Sequence, residues 1–139
     1  MSNRDNTRRG AEFVELVKRV LEREFQIALE KEFRIQPVLS KDEHRFDLGS
    51  ANPRILIECK NHTWTRGGKT PHAKLKDWIV AMQHLHLAPT DRKILAVARD
   101  RHPSNGETLR NYFLRTALGR MKPPDVAVWE FDREGNICR

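Results

Sequence analysis

The chain predicts a single α/β domain with a mixed central sheet flanked by helices. Its core order is helix, three strands, helix, strand, followed by a C-terminal helix and strand. Three observations lead there. A chain of 139 residues is long enough to bury one hydrophobic core and too short for two. Segments with apolar residues at steps of three and four alternate with short, β-rich apolar runs. Two of those runs are almost continuously apolar, the pattern of strands covered on both faces. No internal repeat, low-complexity tract or linker divides the chain.

The elements follow in order. Residues 1–9 are polar and charged and are expected to form a disordered basic arm, leaving 10–139 as the domain. Phe13, Val14, Val17, Val20, Leu21 and Ala28 mark one long amphipathic helix from Ala11 to about Phe33. Pro37 suits an edge strand over Phe33 to Leu39. A short strand, His44 to Gly49, and an apolar one, Arg54 to Lys60, are joined by turn residues Ser50-Ala51-Asn52-Pro53. A Thr-, Gly- and base-rich loop covers Asn61 to Pro71. Leu75, Trp78, Ile79, Met82 and Leu85 then place a second helix over His72 to Leu87. A buried strand is expected over Lys93 to Arg99. A third helix should run from Ser104, as N-cap with Glu107 completing a capping box, to about Leu118. Pro123-Pro124 bars its continuation, and Asp125 to Phe131 is the last strand.

Charge narrows the partners. Lysine and arginine number 26 against 19 acids, a net charge of +7 that attracts polyanions, DNA first among them. No window has the run of roughly 18 apolar residues that a membrane span needs, and no basic amphipathic helix stands apart from the core, so a membrane is not an expected partner. The polar N-terminus carries no signal-peptide pattern, and the protein is expected to be cytoplasmic. Cys59 and Cys138 have neither disulfide-framework nor zinc-site spacing and are expected to be reduced.

One constellation carries chemistry. Alternation along a strand puts Glu58 and Lys60 on one face and Ile55, Ile57 and Cys59 on the other. Charges at the end of a buried strand are costly unless a partner or metal satisfies them. Asp47, on the preceding strand, is positioned to bring a second carboxylate beside Glu58. Two hard oxygen ligands suit Mg²⁺ or Mn²⁺ rather than zinc. With Lys60 to orient a water, the set fits metal-assisted attack on a phosphodiester.

Asp47 within Arg45-Phe46-Asp47-Leu48, then Glu58-Cys59-Lys60 after an apolar strand, resembles the PD-(D/E)XK nuclease superfamily, which includes restriction enzymes, Mrr-like nucleases and Holliday-junction resolvases. Phe46 stands where that motif has proline. The resemblance covers about residues 10–99 and implies a restriction-endonuclease-like core. It implies a DNA endonuclease with Asp47 and Glu58 as metal ligands and Lys60 as the water-positioning group. Gly10, followed by Glu12 and Glu15, is similar to the opening acidic motif of several members, Glu15 having the better spacing. Gln83 resembles a supporting glutamine found in some members. A structure-selective resolvase and a non-catalytic nucleic-acid-binding module on the same fold are the alternatives. Cleaving a duplex with so small a chain would call for a homodimer.

Other signals are weaker. Thr63 to Thr70 ends like a phosphate-binding loop but has Thr63 where the first glycine belongs, so a basic DNA-contacting loop or a plain surface loop remains. Trp64 either stacks on a base or packs against the second helix. His84 and His86 diverge by about 200° on a helix and cannot chelate one metal; they are read as surface or packing residues. His62 shares the parity of Lys60 and is a candidate phosphate contact or support. Arg66, Lys69, Lys74 and Lys76, with Arg99, Arg101 and Arg110 behind them, are candidate contacts to the DNA backbone.

Overall fold

The computed structural model describes residues 3–37 and 41–139. Its elements are α1 (Asn3–Phe25), β1 (Glu30–Ile35), β2 (His44–Ala51), β3 (Arg54–Lys60), α2 (His72–Leu87), β4 (Arg92–Ala98), α3 (Leu109–Arg115), a 3₁₀ turn (Ala117–Met121), β5 (Val126–Phe131) and β6 (Ile137–Cys138). The six strands lie side by side in sequence order. β1, β2 and β3 are antiparallel, β3, β4 and β5 parallel, and β6 antiparallel to β5. The α/β class and the mixed open sheet expected from periodicity are therefore present.

Each face of the sheet has its own core. Phe13, Val17, Val20 and Leu21 of α1 pack on Leu48, Ile55, Ile57, Ile94 and Ala96. Leu75, Trp78, Met82 and Leu85 of α2 pack on the opposite face with Leu56, Leu95, Val97 and Val128. The near-continuous apolar runs of β3 and β4 have this cause, because both of their faces are covered by helices.

Four boundaries differ from the sequence reading. α1 starts at Asn3, so residues 3–9, read as a disordered arm, continue the helix. It stops at Phe25 instead of about Phe33 because Gln26 turns left-handed, at φ 54°. The Ile27 N–H then donates to the Glu22 carbonyl at 3.3 Å, and the Leu29 N–H to the Glu22 carboxylate at 2.9 Å, which closes the helix as a Schellman turn does. The first strand accordingly begins at Glu30; Val38 and Leu39, the end of the expected edge strand, lie outside the described residues. The third helix begins after Thr108, whose hydroxyl caps Asn111 N–H, and not at Ser104. Glu107 completes no capping box, because Arg115 takes both its carboxylate oxygens at 2.8 and 2.9 Å. β6 was not expected at all.

One irregularity positions the site. Phe46 faces the α2 core and Leu48 the α1 core, although regular alternation would put both on one face. Their neighbours in β1 do the same: Phe33, opposite Phe46, packs against the α2 core, whereas Lys31, opposite Leu48, reaches Glu15 of α1. Both strands thus change face at the rung of Glu32 and Asp47. Glu32 supplies the rotation with φ 52°, a conformation that costs a non-glycine residue of order 1–3 kcal/mol.

Gly49 belongs to the same device. A Cβ there would meet the Phe33 ring at 2.5 Å, so the ring lies directly over the glycine. Gly49→Ala is expected to destabilise the fold by about 1–3 kcal/mol, the usual cost of overpacking. A urea denaturation midpoint equal to wild type would remove this close contact from the account.

Candidate active site

The antiparallel ladder of β2 and β3 runs from Ala51 opposite Arg54 to Leu48 opposite Ile57. One rung further, side chains replace the backbone partners. The Asp47 N–H donates to Glu58 Oε1 at 3.0 Å, and the Cys59 N–H donates to Asp47 Oδ2 at 2.8 Å. Each carboxylate thus satisfies a backbone donor that the opened ladder leaves unpaired. The exchange holds the two acids together at the end of the strand pair. Among the described residues, no hydrogen bond is taken by their other oxygens, Asp47 Oδ1 and Glu58 Oε2.

Burial makes this pair electrostatically tense. Glu58 is 8% exposed, and its carboxyl is pushed up to about 8, first by loss of solvent and then by the Asp47 charge. Burial also raises Asp47, while the Cys59 N–H and the Lys60 ammonium oppose the rise. Lys60 is half-buried and shares the Glu58 side of β3, as alternation required; Ile55 and Ile57 face α1. Its positive charge favours the ionised form of both acids. Burial and the same two carboxylates push the Cys59 thiol well up, so it is no thiolate nucleophile. Both cysteines are free.

The structure therefore brings Asp47, Glu58 and Lys60 together. The helix-one acids have other partners: Glu15 is ion-paired with Lys31, and Glu12 with Arg8 at 3.7 Å. A carboxylate whose charge raises Asp47 is Glu32, across the ladder. Gln83 is exposed on α2, outside the lining of the pocket beside Glu58. Among the described residues, no three His, Cys, Asp or Glu side chains are gathered as a ready metal cluster.

His62 accepts a hydrogen bond at Nδ1 from the Trp78 indole at 3.0 Å. Burial, then the Lys60 and Lys74 charges, push it down to about 4. At neutral pH it is an uncharged ring carrying its proton on Nε2, able to donate one hydrogen bond. Trp64 is a packing residue: it is 8% exposed, its indole donates to the Glu107 carbonyl at 3.1 Å, and its N–H to Asp100 at 2.8 Å. Its neighbours include Tyr112 and His102, so the 100–112 segment holds it as well as α2.

Among the basic candidates, Arg66, Lys69, Lys74, Lys76 and Arg101 are exposed. Lys74 is close enough to act on His62 and stands on the site's side of α2. Lys76 diverges from it by about 200° around the helix. Arg110 is no DNA contact. It is 7% exposed and donates to the carbonyls of Val128 and Cys138 at 3.2 and 3.1 Å. Arg99 pairs with Glu130 and Asp132. His84 and His86 diverge as helical geometry requires: His84 stacks on His44, and His86 meets Asp125 at 2.8 Å.

Sequence reading missed Glu32, His44 and Asp77. Asp77, Ala81 and His84 form one helical stripe at steps of four and three, facing Glu58 and Lys60. That stripe was visible in the sequence. Glu32 and His44 were not, since strand register brings them in. Among the described residues, no helix is long and apolar enough to cross a membrane. No family model matches the chain, and neither a curated protein nor a solved structure matches it.

Proposed function

We propose that the protein is a metal-dependent endonuclease that hydrolyses phosphodiester bonds in DNA, on a restriction-endonuclease-like arrangement of its sheet and helices. The observation that carries this reading is the carboxylate pair itself. Asp47, half-buried, and Glu58, buried, are locked side by side at the open end of β2 and β3, both raised, with a lysine on the same face. Two acids held against their mutual repulsion fit a divalent cation, and Mg²⁺ or Mn²⁺, which keeps several waters, needs few protein oxygens. Asp47 Oδ1 and Glu58 Oε2 are the atoms to hold it. When bound, such a cation supplies charge stabilisation for the phosphoryl oxygens and acidifies a water.

The chain's own groups do the rest. Lys60 orients the attacking water and draws both acids towards their ionised form. His62 presents one neutral N–H as a phosphate contact. Lys74, Arg66 and Lys69 offer exposed charge for the DNA backbone, within a chain of net charge +7. A homodimer would place two such sites on opposite strands.

Calorimetric titration with Mn²⁺ tests the ligand assignment. Wild type is expected to bind, and Asp47→Ala to lose the signal; equal binding by both removes Asp47 from the site. Linear, supercoiled, single-stranded and four-way-junction DNA, each incubated with Mg²⁺ or Mn²⁺, test the activity. Tight binding to all four without a cut would favour a non-catalytic binding module.

A further inference from the structure

Beside Glu58 lies a pocket of about 210 Å³, lined by His44, Glu58 and Lys60 from the sheet and by Asp77, Val80, Ala81 and His84 from α2. That is room for one planar heterocycle. One wall is aromatic. The rings of His44 and His84 are stacked, centroids 4.0 Å apart and tilted by 11°, and Phe46 meets His44 edge-on at 4.6 Å. His44 Nε2 is buried and has no hydrogen-bond partner. Ala81 and the exposed Val80 add apolar surface, and Asp77 contributes an exposed carboxylate at the rim.

These features select against two simple occupants. Imidazoles stacked face to face carry their nitrogens in separate parallel planes and do not converge on one ion. Among the described residues, no three ligating side chains are gathered for a metal. A lone phosphate would meet Lys60 but would also face the Asp77 carboxylate and the apolar Val80 and Ala81, which offer it no donor. A flat ring with hydrogen-bond donors on its edge suits the histidine and α2 walls: it extends the imidazole stack, covers Ala81 and Val80, and donates to Asp77.

We propose that this pocket is a nucleobase subsite that takes one unpaired base, guanine in preference to the others. Guanine alone presents an imino and an amino donor side by side, which matches the two oxygens of a carboxylate. Adenine and cytosine offer an amino group without that neighbour, and thymine's single imino is flanked by carbonyls that repel Asp77. Because Glu58 and Lys60 line the pocket too, a base held here belongs to a nucleotide next to the attacked phosphate. That last step rests on the nuclease reading; the base pocket does not. The consequence is a preference for DNA with an unstacked or flipped guanine over uninterrupted duplex.

The test uses GMP, AMP, CMP and UMP as probes, titrated into the whole protein while the imidazole resonances of His44 and His84 are followed by NMR. GMP is expected to shift both rings and to bind several-fold more tightly than the other three. Asp77→Asn should abolish that preference, and His84→Ala should weaken GMP about tenfold, in line with the loss of one stacking surface. Asp77 is exposed, so its substitution leaves the fold intact and its result stands even if His84→Ala is poorly folded. Unmoved His44 and His84 resonances, or an unchanged base preference in Asp77→Asn, would overturn the subsite. Cutting of oligonucleotides carrying a single unpaired G or A is scored separately: failure to cut any DNA counts against the nuclease, whereas the mononucleotide titration judges the pocket.

Discussion

Lys60→Ala is expected to lower DNA cleavage by about 10²–10⁴-fold, the range for losing a positioned group that handles the reacting proton or water. The Lys60 charge acts on Asp47 and Glu58 alike. Removing it deletes the group that orients water and also lets both carboxyls rise further, so the acids hold a cation less well. DNA affinity should change far less, since one lysine is a small part of a chain with 26 basic residues. Cleavage is read in Mg²⁺ or Mn²⁺ and binding in Ca²⁺, on the same DNA. A variant that cuts as fast as wild type would end this role for Lys60, even if the protein is a nuclease.

Glu58→Gln is expected to separate stability from activity, with opposite signs. In the folded protein Glu58 holds its proton up to about pH 8, against an ordinary value of 4.5. The folded state therefore binds more protons than the unfolded one across that window. Stability from this group is fully present below about 4.5 and is lost as pH rises towards 8. Two histidines run the other way: His62 is pushed down to about 4 and His44 is also lowered, so both add stability as pH rises to 6.5. Asp47, raised as well, loses stability in the same direction as Glu58. The histidines oppose the two acids up to about 6.5, and above it the loss from the carboxylate pair is no longer opposed by them. With a chelator present, the melting temperature of wild type should hold steady and then fall between about pH 6.5 and 8.

Glutamine keeps an oxygen for the Asp47 N–H and carries no charge to bury. Glu58→Gln should therefore gain a few kcal/mol over wild type near pH 8, show no fall there, and cut no DNA. Adding Mg²⁺ or Mn²⁺ should raise the melting temperature of wild type at that pH and leave Glu58→Gln unmoved. Parallel melting curves for the two proteins across the whole range would show that Glu58 is not held protonated by its surroundings.

Periodicity made most of the framework legible. β3 and β4 read as buried strands because helices cover both their faces, and α2 read correctly because Leu75, Trp78, Met82 and Leu85 repeat at the helical period. Glu58 and Lys60 on one face of β3 followed from alternation alone. Boundaries were harder wherever a side chain from elsewhere decided them. α1 ends early because Glu22 takes the Leu29 N–H, and α3 starts late because Arg115 engages Glu107 while Trp64 pins the Glu107 carbonyl. A sequence window sees neither contact.

By itself, then, the amino-acid order determined the mixed α/β class, the apolar faces of strands and helices, and the placing of an acid and a lysine at the end of a buried strand. The meeting of distant charges was decided only in three dimensions. A reversal of facing at the rung of Glu32 and Asp47 turned Lys31 towards Glu15 and set Glu32 across from Asp47. The opening of the β2–β3 ladder one rung past Leu48 and Ile57 made each carboxylate the acceptor for a stranded backbone N–H. The docking of α2 brought Asp77 and His84 over Glu58 and beside His44. Local periods are set by backbone geometry, which every short stretch of chain carries. Pairings across long separations depend on register and helix docking, which the burial of the whole core selects.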